Sequence, residues 1–260
     1  MMTNAEIWYN ISNTQAKEFE KVDRLLFQKT FKIPASVPQV SLYLEFGVMP
    51  ITVIFKVRRL TYLHSILRSP RSGMLFKFFF VQWNFPCNGD WTEQIKCDLY
   101  DFGLECNLDL LASKSKESFK NMIKTKAMEF TLNNLLSRKT LSKKLENINY
   151  KEVKMQKYLL DKNLTYSDKK VIFLFRTRMA MFGENYKAGR AVTTCPLCNL
   201  HVDSQALILQ CPVIKMELAN KFGPEHMTEI DQVYGDNISK ELALTLNFAM
   251  EKRSSLTKTK

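Results

Sequence analysis

The sequence is poor in the residues that mark tight turns, with only 8 glycines and 8 prolines among 260 residues. A β-sandwich or β-barrel needs many such turns, so this scarcity argues against both. Hydrophobic residues make up 45% and charged residues 25% of the chain, which excludes wholesale disorder. We therefore expect a mostly α-helical fold with short connections and a substantial core.

Signals for export and membrane insertion are also missing. The first residues, Met1–Asn13, include Glu6 and have no apolar run typical of a signal peptide. The most apolar stretch, Leu75–Trp83, is interrupted by Lys77 and Gln82 and is far shorter than the ~20 residues that span a bilayer. We expect an intracellular protein, cytoplasmic or nuclear, that is neither secreted nor in a membrane. In such a reducing compartment its six cysteines form no disulfide framework.

Catalytic motifs are absent as well. The sequence lacks the phosphate-binding loops GxxxxGK[ST] and GxGxxG, the zinc-protease motif HExxH and the nucleophile motif GxSxG. No two aspartates are adjacent, so the carboxylate pair of a two-metal polymerase is not visible. Asp98 and Asp101 share one helix face and are interpreted as solvated. We expect no enzymatic activity and no small-molecule substrate.

The charge distribution is strongly uneven. The net charge is +12, and residues 111–190 contain 19 basic and 7 acidic side chains, which accounts for the whole excess. A localised surplus of this size indicates a polyanionic partner, most often nucleic acid and sometimes an anionic membrane surface. The alternative is a basic helical face that is merely solvated.

Apolar periodicity predicts the helices. The first covers about 12–33, opens with a capping box at Ser12–Gln15 and turns one apolar stripe inward. The residues of that stripe are Phe19, Val22, Leu26 and Ile33. A second helix starts at Pro50. The aromatic run Phe76–Trp83 could stack bases, but we interpret it as core because three adjacent Phe side chains cannot all face solvent.

The basic region is predicted to contain a long helix over 113–138 and a further helix capped by Ser167. Eight side chains are candidate contacts to nucleic acid: Lys120, Lys124, Lys126, Lys143, Lys144, Lys154, Arg176 and Arg178. Arg176 and Arg178 lie near the end of the helix that follows Ser167. A guanidinium there either pairs bidentately with phosphate or caps the last carbonyl groups, and the sequence leaves both interpretations open.

A cysteine motif follows the basic region. Cys195 and Cys198 form a CxxC pair, which aims two thiolates at one point, and zinc prefers four nitrogen or sulfur ligands. Together with His201 and Cys211 they make a possible Cys3His site for one structural zinc ion. The alternatives are no metal, or a redox role, for which no βαβ context is visible.

Several stretches together resemble the C-terminal region of a non-LTR retrotransposon reverse transcriptase. They are Ile7–Ser12, Leu25–Lys29, Leu42–Ile51, Arg58–His64, Gly89–Trp91, Lys154–Tyr158, Arg176–Met179 and the cysteine motif. The resemblance implies a thumb-like helical region (1–110), a basic helical linker (111–190) and a small knuckle-like Cys/His segment with a helical tail (191–260). The family usually has a histidine where this chain has Ala206 and Leu207, so His201 would have to substitute.

The resemblance also implies a function. The chain would be a fragment without the palm, and it would bind RNA or an RNA–DNA template-primer non-specifically through the linker. The competing hypothesis is a helical protein-interaction module whose basic face is incidental. Salt separates the two, because each phosphate contact releases counterions and weakens as salt rises.

Overall fold

The computed structural model describes residues 11–139, 145, 147–183, 194–224 and 229–258, and the prediction of a mostly α fold is confirmed. The helices of these ranges are α1 (Asn13–Phe31), α2 (Gln39–Phe46), α3 (Ile51–Leu67), α4 (Met74–Asn84), α5 (Trp91–Asp101), α6 (Leu108–Ser113), α7 (Lys116–Lys139), α8 (Lys157–Leu160), α9 (Tyr166–Arg176), α10 (Pro212–Phe222) and α11 (Lys240–Lys258). Two short 3-10 helices cover Ile208–Gln210 and Ile230–Tyr234. In this described part, no helix by itself has the length and hydropathy to cross a membrane, and only α2 and α3 taken together reach both.

Local hydrogen bonds set the helix starts. The predicted capping box opens α1, with the Gln15 N–H donating to Ser12 Oγ at 3.2 Å and the Ser12 N–H donating to Gln15 Oε1 at 2.9 Å. The predicted cap of α9 at Ser167 is wrong. Thr165 caps that helix instead, because its side chain and that of Asp168 bond each other's backbone N–H groups.

Gly47 ends α2 in the left-handed conformation, at φ 62°. A Cβ atom at this position would overlap the backbone of Lys154 and Met155. Only glycine therefore allows this turn and the close approach of the segment at 154–155, whose Gln156 N–H donates to the Glu45 carbonyl at 3.0 Å.

Contacts divide the chain into two compact units that interleave along the sequence. The first takes its described residues from Met1–Phe27, Val48–Ser137 and Lys151–Val153, and the second from Gln28–Gly47, Arg138–Tyr150 and Lys154–Lys260. The three consecutive regions expected from the sequence, with boundaries at residues 110 and 190, stay a prediction.

The core of the first unit forms where α3 meets α4, α5, α6 and α7. Leu60 and Leu63 of α3 are fully buried there, together with Leu99 of α5 and the stripe of α7 that contains Phe119 and Ile123. The long helix α7 is thus amphipathic, with one face committed to the core.

In the second unit, α9 packs against α11 and against the 3-10 helix at Ile230–Tyr234. Ile172 and Phe175 of α9 are buried, as are Leu242 and Leu246 of α11. The cysteine-containing segment lies between α9 and α11 in the sequence.

Two predictions about burial are wrong. Of the aromatic run, Phe79 is buried, but Phe78 and Phe80 are 65% and 51% exposed, because α4 packs only one face against α3 and α5. On α1, Val22 and Leu26 are exposed. The packed side of α1 instead includes Asp23, whose carboxylate accepts the Ile51 N–H at 3.4 Å.

Candidate functional site

Three of the four predicted metal ligands lie together. The Sγ atoms of Cys195, Cys198 and Cys211 all lie within 4.8 Å of one another, and those of Cys195 and Cys211 are 3.9 Å apart. Cys195 and Cys211 are buried, and Cys198 is half-buried. The cluster is close enough to hold a metal ion.

The backbone explains why these thiols converge. Thr194 and Val202 form an isolated antiparallel bridge, and the Cys195 N–H donates to the His201 carbonyl at 2.6 Å. The tight turn between them places Asn199 at φ 54°, a left-handed conformation that asparagine tolerates well. Cys211 comes from the start of α10, so a turn and a helix N-terminus together supply the sulfurs.

Backbone N–H groups surround two of the sulfurs. Burial opposes ionisation of Cys198, but hydrogen bonds from the N–H groups of Leu200 and His201 lower the pKa of its thiol. For Cys211, burial dominates and raises the pKa to about 11, although the N–H groups of Val213 and Ile214 stabilise its thiolate. Metal ligation requires the thiolate form of these cysteines. N–H donors stabilise that form, and a bound positive ion would offset the cost of burying its negative charge.

His201, the predicted fourth ligand, is not part of the cluster. Neither of its ring nitrogens lies within 4.8 Å of all three sulfurs. The turn uses the backbone of His201 to pair with Cys195, and His201, which is half-buried, lines a cavity of about 10 Å³ together with Cys195 and Cys211. A space of that size accommodates about one water molecule.

The basic residues of α7 form a second candidate site. Lys116, Lys120 and Lys124 recur every fourth residue and are exposed, so their side chains follow one stripe at intervals of about 6 Å. Among the described residues, none of the three has a salt-bridge partner. Lys116, a basic residue of the predicted helix that was not among the candidate contacts, extends the predicted pair Lys120 and Lys124.

The other predicted lysines differ in their surroundings. Lys126 is half-buried, and its ammonium pairs with Glu129 at 2.9 Å, so its charge is partly neutralised. Lys154 is exposed and belongs to the second unit. Lys143 and Lys144 lie outside the described residues.

The structure corrects the interpretation of Arg176 as a phosphate contact. Its side chain is 1% exposed and pairs with Glu45, which is fully buried. A guanidinium held in the interior in this way does not reach a phosphate at the surface. Arg178 is half-buried and adopts a left-handed conformation at φ 49° just after α9.

A buried charge network was also missed. Asp98 is fully buried and binds Arg59, with Nε 2.7 Å from Oδ2, while Lys56 lies 3.0 Å from Asp98 and 2.6 Å from Asp101. The interpretation of these aspartates as a solvated face is therefore wrong. The signal was present in the sequence, because Lys56 and Arg59 have the same three-residue spacing as Asp98 and Asp101.

Comparisons of the chain with family models, with curated proteins and with solved structures found no match.

Proposed function

We propose that this protein binds RNA or an RNA–DNA hybrid without sequence preference, through phosphate contacts made by α7. The observation that carries this proposal is the stripe formed by Lys116, Lys120 and Lys124, which is exposed and free of salt bridges within the described residues. Ammonium groups spaced along one helix side suit a chain of phosphates. The resemblance to the C-terminal region of non-LTR reverse transcriptases supports the same conclusion.

The zinc site has a supporting role in this proposal. Zinc would be held by Cys195, Cys198 and Cys211, whose sulfurs lie within 4.8 Å of one another. Bound zinc would contribute folding free energy to the segment between the CxxC turn and α10. We assign it no part in a chemical reaction.

The experiment is a titration of fluorescently labelled single-stranded RNA with the whole chain at several salt concentrations. We expect the logarithm of the binding constant to fall linearly with the logarithm of salt concentration, with a slope of about −2 for three contacts, each worth about 0.7 on a single strand. Two RNAs of unrelated sequence should bind equally, since phosphates carry no base information. Absence of binding at low salt, or binding indifferent to salt, would refute the proposal.

A second candidate function, a protein-interaction module, is favoured by one specific observation. The side chains of Met74, Phe78, Val81 and Phe85 are exposed and follow one stripe along α4 and its C-terminal end. Exposed apolar patches of this kind mark interaction surfaces. Binding driven by apolar area changes little with salt, so the same titration distinguishes the two functions.

A further inference from the structure

The second unit contains an apolar cavity that the proposed function does not use. Its volume is about 280 Å³, close to the lower end of small-molecule sites. Phe46 and Phe173 contribute buried side chains to it, as does Ile33, while Met155 and Tyr166 line it and are exposed to solvent. The lining of the cavity thus combines buried apolar side chains with side chains that are open to solvent.

Aromatic packing holds the phenylalanine side chains that line this cavity in place. The rings of Phe31 and Phe46 stack with centroids 4.3 Å apart, and Phe46 also contacts Phe173 at 5.7 Å. Rings fixed against one another keep the space open, because none of them can rotate into it without losing its partner. A preformed apolar surface binds a ligand without the cost of reorganisation.

The charge at the cavity is of one sign. Tyr166, Lys169, Lys170 and Phe173 project from one face of α9, and the described lining residues include two lysines and no carboxylate. Lys169 donates to the Leu159 carbonyl at 2.9 Å, which holds its ammonium at the cavity wall. Lys170 is half-buried beside it.

The nearest acidic residue along α9 does not neutralise this pair. Asp168 is buried and accepts hydrogen bonds from Thr165, whose N–H lies at 2.9 Å, and from Asn247 of α11. Its carboxylate is thus committed to the helix cap and to α11. The cavity therefore combines an apolar lining with two adjacent lysine ammonium groups.

We propose that this cavity binds a small organic anion with a hydrocarbon body, such as a medium-chain carboxylate. The carboxylate would pair with Lys169 and Lys170, and the hydrocarbon would cover Phe46 and Phe173. A nucleobase fits less well, because the only other polar side chain among the described lining residues is the Tyr166 hydroxyl, which is too little to pair with a base edge. This inference is independent of nucleic-acid binding.

The test is calorimetric titration of the whole chain with decanoate, decylammonium and uridine monophosphate. We expect decanoate to bind one site saturably, and decylammonium, which has the same hydrocarbon and the opposite charge, to bind at least about tenfold more weakly. Lys170→Gln should weaken decanoate binding roughly tenfold, whereas Lys162→Gln, at an exposed lysine of the same unit, should leave it unchanged.

A second variant removes the space rather than the charge. Leu159→Trp places a larger side chain at the cavity wall and should abolish decanoate binding, while circular dichroism and the melting temperature establish that the variant is folded. The proposal is overturned if decanoate shows no saturable binding, if decylammonium binds equally well, if the nucleotide binds more tightly, or if a folded Leu159→Trp variant binds like the parent.

Discussion

Arg176 and Glu45 form a buried ion pair in the second unit, with Arg176 Nε 2.9 Å from Glu45 Oε1 and the two side chains 1% and 0% exposed. Tyr150 and Tyr158 donate their hydroxyls to the same carboxylate. Burial, and then the charge of Glu45, raises the pKa of both tyrosines well above the usual value, so they remain donors. Arg176 also donates to the Val233 carbonyl at 2.8 Å. This network satisfies both charges and makes Arg176 a structural residue.

Removing either partner of this pair should therefore destabilise the protein strongly. We expect Arg176→Met and Glu45→Gln each to lower the free energy of unfolding by about 3–5 kcal/mol. The first variant leaves the buried carboxylate of Glu45 without its cation, and the second leaves the buried guanidinium of Arg176 without its anion. The double variant should lose less than the sum of the two. Urea denaturation measures all three, and strictly additive losses would show that the two residues do not interact.

Metal removal should loosen the cysteine segment. We expect the purified chain to contain about one zinc ion per molecule, and chelation to lower its melting temperature. Cys198→Ser should lose the metal, while Cys97→Ser, which changes an exposed cysteine of α5, should retain it. Elemental analysis and thermal melts provide the readout. A metal-free chain whose melting is unaffected by chelator would contradict the metal site.

Protonation of His64 should destabilise the first unit. Its ring is stacked on Phe119 and contacts the Lys114 carbonyl at 3.1 Å, and burial, together with the charges of Arg68 and Lys116, lowers the pKa of its side chain. The unfolded chain then binds more protons than the folded one near the usual pKa of about 6.5. Stability should fall as the pH drops through that value.

The variant His64→Gln isolates this contribution. Its amide can still donate to the Lys114 carbonyl but does not titrate, so the acid destabilisation between about pH 7 and pH 5 should be smaller than in the parent. Urea melts at several pH values measure it. An unchanged pH dependence in the variant would show that His64 does not set it.

The paired carboxylates of α5 should support no polymerase chemistry. Lys56 lies within 3.0 Å of Asp98 and 2.6 Å of Asp101, and Arg59 also binds Asp98, so these oxygens already pair with cations. We expect the purified chain to extend no primer with Mg²⁺ or Mn²⁺. Template-dependent synthesis that persists through purification and disappears in Asp98→Asn would contradict this expectation.

The sequence predicted the features that depend on local pattern. Helical periodicity located α1, α3 and α7, and the CxxC spacing identified Cys195 and Cys198 as neighbours. The periodicity did not show which face of a helix packs against another element. The predicted burial of Phe78 and Val22 was wrong for this reason, and both side chains are exposed. Amphipathicity is a property of one helix, whereas the burial of its apolar face depends on other elements that are distant in the chain.

Charge pairing was the main source of error for the same reason. Glu45 and Arg176 are 131 residues apart, and no local pattern connects them, so Arg176 resembled a surface cation. The matched spacing on α3 and α5 was a recognisable clue, since Lys56 and Asp98 belong to pairs with the same periodicity. His201 was misplaced because spacing alone does not reveal that its backbone is needed for the turn.

The central claim is that α7 carries the affinity for RNA, and a matched pair of charge-reversed variants tests it most directly. The first variant replaces Lys116, Lys120 and Lys124 with Glu. The control variant replaces three exposed lysines on other helices, Lys17, Lys29 and Lys215, with Glu, so that both chains have the same net charge.

The measurement is the salt dependence of binding to single-stranded RNA for the parent and both variants. We predict that the α7 variant binds weakly and that its log–log slope is smaller by about 2, while the control variant keeps a slope close to that of the parent. If the α7 variant binds with the parent's affinity and slope, or if both variants lose affinity equally, the lysine stripe of α7 is not the site of RNA binding.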